Sequence, residues 1–314
     1  MTLAMIFPGQ GSQSVGMLAA LAEQYPDIPA TFAEASAILG FDLWQLVQEG
    51  PAERLDETVN TQPAMLAAGV ATWRAWRSGG GATPANMAGH SLGEYTALVC
   101  AGSLKFADAV RLVRRRAELM QAAVPPGEGA MAAILGLDDD AVIEACNAAA
   151  QGQVVSAVNF NSPGQVVIAG ERAAVERATE QAKAAGAKRV LVLRLSVPSH
   201  CELMRPAAEQ LAQELANTPL SAPSIPVTGN ADVKLYEDAQ QIREGLAKQL
   251  YSPVRWTETI RELVNSGSSS IVECGPGKVL TGLAKRIDRN IPAVCIDTRE
   301  TMTTALAEYA APPN

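Results

Sequence analysis

The sequence predicts an α/β protein: a large domain built on a mainly parallel sheet, interrupted by a small inserted domain. Three observations carry this. Short apolar runs alternate with helix-like stretches in the first and last parts of the chain, the pattern of strands joined by helical crossovers. One such run turns abruptly into a helix at Gly89-His90-Ser91-Leu92-Gly93. The middle reads β, α, β, β, α, β, the order of a ferredoxin-like unit.

Taken in order, Leu3–Phe7 is an apolar strand, stopped by the glycine-rich Gly9-Gln10-Gly11. The run Pro63–Arg77 reads as a helix, opened by Thr61-Gln62-Pro63 and closed by glycines 79–81. Asn86-Met87-Ala88 ends the strand before the sharp turn, and Glu94–Cys100 is the helix after it, closed by Gly102. Phe106–Val124 is a longer helix. The inserted unit follows, with strands at Ala130–Leu137, Val154–Asn161, Gln165–Ala169 and Lys188–Leu195 and helices at Asp139–Ala149 and Glu171–Ala185. Pro125-Pro126-Gly127 and Pro198 bracket it. The expected domains are therefore 1–124 with 197–314, and 125–196. Ser270–Cys274 is a strand stopped by Gly275-Pro276-Gly277, Val279–Ile287 a helix, and Ala293–Ile296 a last short strand.

Bulk properties bound the function. The 314 residues are 48% hydrophobic, enough for a sizeable core. A net charge of −8 argues against nucleic acid as a partner. No apolar run is long enough for a bilayer, and the uncharged start reads as a strand and not a leader, so no membrane association is expected. Five scattered cysteines without metal spacing suit buried thiols in a reducing cytoplasm.

Gly89-His90-Ser91-Leu92-Gly93 has the G-x-S-x-G spacing of a nucleophile elbow, in which glycines two residues either side of a serine let a strand reverse into a helix and leave the hydroxyl exposed. That makes the large domain α/β-hydrolase-like. A serine at its ordinary pKa needs a base, and the chain holds only two histidines. His90 adjoins Ser91, where neighbouring side chains diverge, and suits packing of the strand end. His200, in Val197-Pro198-Ser199-His200, is the remaining candidate base, and the insertion places it across a cleft from Ser91.

Arg116 stands out by position. On the helix Phe106–Val124, Arg111, Arg114 and Arg115 share a polar half-turn, whereas Arg116 falls at roughly 240° from Val110, amid Phe106, Leu112, Val113, Leu119 and Met120. A buried guanidinium needs a partner. Either a carboxylate of the chain or the carboxylate of a ligand would serve, the latter gripped by two parallel hydrogen bonds.

Taken together, Phe7-Pro8-Gly9-Gln10-Gly11-Ser12-Gln13, Thr61-Gln62-Pro63-Ala64, Gly89–Glu94, Arg116 with Met120, Asn159-Phe160-Asn161-Ser162-Pro163, Val197–His200 and Glu273–Gly277 resemble the malonyl-CoA:acyl carrier protein transacylases of fatty acid synthesis. They also resemble the acyltransferase domains of polyketide and animal fatty acid synthases. The resemblance spans essentially the whole chain and is nearest to the free-standing bacterial form. It implies Ser91 as nucleophile, His200 as base and later acid, the N–H groups of Gln10 and Leu92 as an oxyanion hole, and Arg116 as the malonyl carboxylate's ligand. It further implies that Gln249 lines the site and offers its backbone carbonyl to the histidine, with Met120 near the acyl group. Malonyl-CoA and acyl carrier protein are the implied partners of a cytoplasmic monomer, with no metal or bound cofactor. Where many synthase domains carry phenylalanine before the histidine, this chain has Ser199, which bears on selectivity between malonyl and branched malonyl groups.

Three other readings compete. A serine esterase or thioesterase shares the elbow but leaves Arg116 without a task. A nucleotide-binding module on Gly9-Gln10-Gly11 has Ser14 where the third glycine belongs. A catalytically dead carrier-binding protein would not need Ser91, His200 and Arg116 together.

Overall fold

Every side chain of Leu3–Phe7 is buried, and the alternation of a strand sends them to opposite sides. Leu3, Met5 and Phe7 enter one core and Ala4 and Ile6 another. Only a strand covered on both faces reads as an unbroken apolar run. The computed structural model, which describes residues 2–193 and 197–311, puts it at the centre of a sheet.

Among the described residues nine strands form two sheets. In chain order they are β1 (Leu3–Phe7), β2 (Asn86–Gly89), β3 (Gly129–Leu135), β4 (Val155–Ser162), β5 (Gln165–Glu171), β6 (Arg189–Val192), β7 (Val227–Thr228), β8 (Ser270–Glu273) and β9 (Ala293–Cys295). The larger sheet has the order β7-β2-β1-β8-β9, with every pair parallel. The smaller has the order β4-β5-β3-β6 and is antiparallel. With the helices Asp139–Ala150 and Arg172–Ala184, β3 to β6 make the expected β, α, β, β, α, β order. The last strand ends at Val192 in place of Leu195; residues 194–196 lie outside the described residues.

One helix departs from expectation. The segment read as starting at Pro63 begins at Thr58 and runs to Ser78, with Pro63 inside it. A proline there removes the hydrogen bond to the carbonyl four residues earlier. That carbonyl, on Val59, is instead taken by the Arg114 guanidinium at 3.0 Å, so the helix tolerates the proline.

The sheets are joined by main chain as well as by covalent linkers. Phe160 N donates to Val254 O at 3.0 Å and Val254 N to Val158 O at 2.8 Å, while the Thr257 hydroxyl reaches Phe160 O at 3.0 Å. These bonds fix β4 against the segment 254–257. Among the described residues no helix is long and apolar enough to cross a membrane.

Candidate active site

The elbow is built from glycines that nothing larger could replace. A Cβ on Gly89 would lie 1.9 Å from Gly93 backbone atoms, and one on Gly93 would lie 2.1 Å from Phe7 O. Between them Ser91 adopts φ 51°, a left-handed conformation that costs a serine about 1–3 kcal/mol and persists only where surroundings impose it. Asn230 does so here: its Oδ1 accepts the Ser91 N–H at 2.6 Å and its Nδ2 donates to Gly89 O at 2.6 Å.

His200 arrives from the other side of the cleft, also with positive φ (65°), its backbone N–H held by Leu250 O at 2.9 Å. Its Nε2 is 2.8 Å from Ser91 Oγ, and its Nδ1 is 2.7 Å from Gln249 O. A carbonyl can only accept, so Nδ1 carries the proton and Nε2 is left as the acceptor facing the serine. Burial, reinforced by the positive charge of Arg116, lowers the His200 pKa to about 3, so the imidazole is neutral at physiological pH.

Arg116 is buried, as its place on the apolar face required. Its Nη1 donates to Gln62 Oε1 at 2.8 Å and its Nη2 to Gln249 Oε1 at 2.9 Å, with Ser91 Oγ 3.4 Å from Nη2. Its Nε has no hydrogen-bond partner, and among the described residues no carboxylate forms an ion pair with it. Of the two partners the sequence left open, a carboxylate of the chain is absent there. Met120 lies alongside, its sulfur accepting from Gln62 Nε2 at 3.5 Å.

A narrow cleft collects these groups; Gln10, Ser91, Leu92, Arg116, Met120 and His200 all line it. Gln249, expected to line the site, is instead fully buried behind it, bonded to Arg116 and His200. A second cleft shares Gln10, His90 and Asn159 with the first and opens between the two sheets. His90 packs edge-on against Trp256 and bonds Asn161 Oδ1 at 2.8 Å, the strand-end role expected of it, while also lining both clefts.

Sequence reasoning gave no role to Gln62, Asn161, Glu94 or Asn230. The first three stand inside quoted motifs, but Glu94 carried no signal of its own, because a carboxylate in the first turn of a helix is ordinary. Asn230 carried none, because its position beside Ser91 comes from tertiary structure alone.

A strained serine at a strand–helix turn, a neutral histidine on its hydroxyl and a buried cation beside both define a serine-dependent acyl-transfer site. The chain belongs to the family described as acyl transferase domain, whose model matches residues 4–296. It is 59% identical over 305 residues to the malonyl CoA-acyl carrier protein transacylase of Salmonella typhimurium, covering 97% of this chain and 99% of that one. Among solved structures it is similar to an acyl carrier protein S-malonyltransferase from Vibrio cholerae, with 57% identity, a TM-score of 0.95, and coverage of 97% and 99% of the two chains. It is also similar to a malonyl-transacylase in complex with a type II PKS acyl-carrier protein, at 56% identity and a TM-score of 0.97, covering 98% of this chain and 100% of that one.

Proposed function

We propose that this protein transfers the malonyl group of malonyl-CoA to the phosphopantetheine thiol of acyl carrier protein through a malonyl ester of Ser91, supplying the extender unit for fatty acid synthesis. The observation that carries this reading is Arg116: a buried guanidinium with a free Nε and, among the described residues, no carboxylate in direct contact with it, 3.4 Å from the nucleophile. A hydrolase of simple esters has no use for it, whereas a malonyl group brings the missing carboxylate to it.

His200 Nε2 takes the Ser91 proton as Oγ attacks the thioester carbonyl. The N–H groups of Gln10 and Leu92, which have no hydrogen-bond partner among the described residues, are free to hold the tetrahedral oxyanion. The C–S bond breaks, the coenzyme A sulfur leaves with the proton from His200, and malonyl-Ser91 remains. The carrier thiol then gives its proton to His200 and attacks the ester, and Ser91 Oγ recovers a proton as it departs. Ser91 and His200 between them carry every bond change and proton, so the chemistry calls for no metal or bound cofactor. We read the large domain, 1–124 with 197–314, as α/β-hydrolase-like because of the elbow, and 125–196 as the inserted domain.

Intact mass spectrometry after mixing with malonyl-CoA tests the proposal. One malonyl adduct per chain is expected, discharged by the thiol form of acyl carrier protein. An unchanged mass would overturn it.

Two basic groups suit docking of an acidic carrier: Lys183, Lys188 and Arg189 on the small domain, and Lys285, Arg286 and Arg289 near the C-terminus. Arg286 bonds Gln165, which lines the second cleft, so the C-terminal group has a member beside that cleft. Charge reversal of the two groups together is expected to slow discharge to the carrier about 10-fold or more at low salt and to flatten its salt dependence. Malonyl-Ser91 formation should hardly change. Unaltered discharge at every salt concentration would place docking elsewhere.

A further inference from the structure

One residue, Gln249, holds both His200 and Arg116, and a buried carboxylate outside the transfer chemistry holds Gln249. Glu94 follows the elbow and is entirely inaccessible to solvent. Its Oε2 accepts from Gln249 Nε2 at 2.9 Å and from Asn230 N at 3.0 Å, and its Oε1 accepts from Tyr236 Oη at 2.5 Å. Gln249 Nε2 spends its other hydrogen on Ser91 O at 2.9 Å. With both amide hydrogens committed, Gln249 can turn only its Oε1 towards Arg116, while its main-chain carbonyl fixes the tautomer of His200. Space for the Tyr236 ring is reserved: a Cβ on Gly245 would lie 2.2 Å from Tyr236 Oη, and one on Gly229 2.7 Å.

We infer that Glu94 is a positioning residue for acyl transfer, a buried counter-charge that locks Gln249 and through it sets the orientation of both His200 and Arg116. The inference rests on the roles given above to Ser91, His200 and Arg116. Three donors converge on Glu94, so its bonds suit an ionised acceptor, and protonation forces at least one of them to rearrange. The charged or titratable groups around it are Tyr236 and Asp232 from the segment after β7, Tyr95 on its own helix, and Arg116 through Gln249. Burial raises its pKa to about 7, against the bonds from Tyr236, Gln249 and Asn230, with Asp232 adding to the rise. His200, at about 3, does not titrate in that range. An acid limb near neutrality in the acylation rate therefore belongs to Glu94, because the site works when Glu94 is ionised and loses its alignment as pH falls through that value.

The test is rapid-quench measurement of Ser91 acylation by malonyl-CoA and by acetyl-CoA across the neutral pH range, for the wild type, Glu94→Gln and Tyr236→Phe. Glu94→Gln is expected to lower malonyl acylation roughly 10- to 100-fold, to shrink the preference for malonyl over acetyl, and to abolish the acid limb. Tyr236→Phe should act in the same directions to a lesser degree, and it supplies the readout should Glu94→Gln fold poorly. In a Gln249→Ala background the Glu94 substitution should cost less than it does alone. If the variants lose rate only in proportion to their folded fraction, with preference and pH profile unchanged, Glu94 is merely structural and the inference fails. A wild type that acquires acetyl but not malonyl would instead overturn the malonyl reading, and the Glu94 effect on acetylation would still decide the positioning role.

Discussion

Ser91→Ala is expected to abolish acyl-enzyme formation and to lower transfer by about 10⁴-fold or more, because the attacking atom itself is removed and no other group stands within hydrogen-bond reach of His200 Nε2 among the described residues. The fold should persist. The hydroxyl contributes no packing, and its two contacts, with His200 and the 3.4 Å approach of Arg116, leave both partners anchored by Gln249. Alanine keeps the Cβ and with it the left-handed strain at φ 51°. Ser91→Gly, lacking the Cβ, is expected to be equally inactive but more stable by about 1 kcal/mol, as part of that strain is released. Chemical denaturation of the three proteins reads the stability, and mass spectrometry after malonyl-CoA reads the chemistry. Retained labelling of Ser91→Ala would show that another residue carries the acyl group.

Arg116→Ala should separate malonyl from acetyl transfer. A charge-assisted pair contributes about 1.5–3 kcal/mol, so malonyl acylation is expected to fall about 10- to 150-fold relative to acetyl acylation. The truncation also leaves Gln62 Oε1 and Gln249 Oε1 without a donor, costing about 1–3 kcal/mol of stability, and Arg116→Met serves as a control that keeps more of the volume. The sign of the pH effect follows from the field of the guanidinium. Arg116 helps hold the His200 pKa down, so removing its charge raises that pKa, and the protonated, inactive imidazole persists to higher pH than in the wild type. An NMR titration of the imidazole should show the His200 pKa of Arg116→Ala displaced upward from about 3, below the acid limb assigned to Glu94. Equal losses for both acyl groups would assign Arg116 to structure alone.

Much of this was legible in the residues because burial leaves a periodic trace. β1 showed itself as five apolar residues in a row, and its two cores take alternate members of that run. Arg116 was conspicuous because a helix phases its side chains, and a cation on the apolar side needs a reason. Pro63 misled because its breaking tendency is local, whereas the Arg114 guanidinium that satisfies Val59 O comes from another helix. The service Gln249 renders to His200 left no trace in composition, since any residue has a backbone carbonyl; only the family resemblance suggested it. Asn230 and Tyr236 lie more than a hundred residues from the elbow and meet it only once the sheet has formed.

The seam at Val254 bears on how such proteins can be recombined. An exchange of the inserted segment between two family members, cut only at the linkers near 124 and 197, would carry β4 away from Val254, whose N–H and C=O both bond to it. The hybrid would inherit a foreign strand on a native seam, and any mismatch would fall beside the cleft wall where Asn159 and Asn161 stand. A crossover that also moves residues 252–257, with Thr257 and its bond to Phe160 O, keeps the seam within one parent. For this architecture the exchangeable module is thus discontinuous in sequence, and a library designed by linker position alone would be dominated by broken seams.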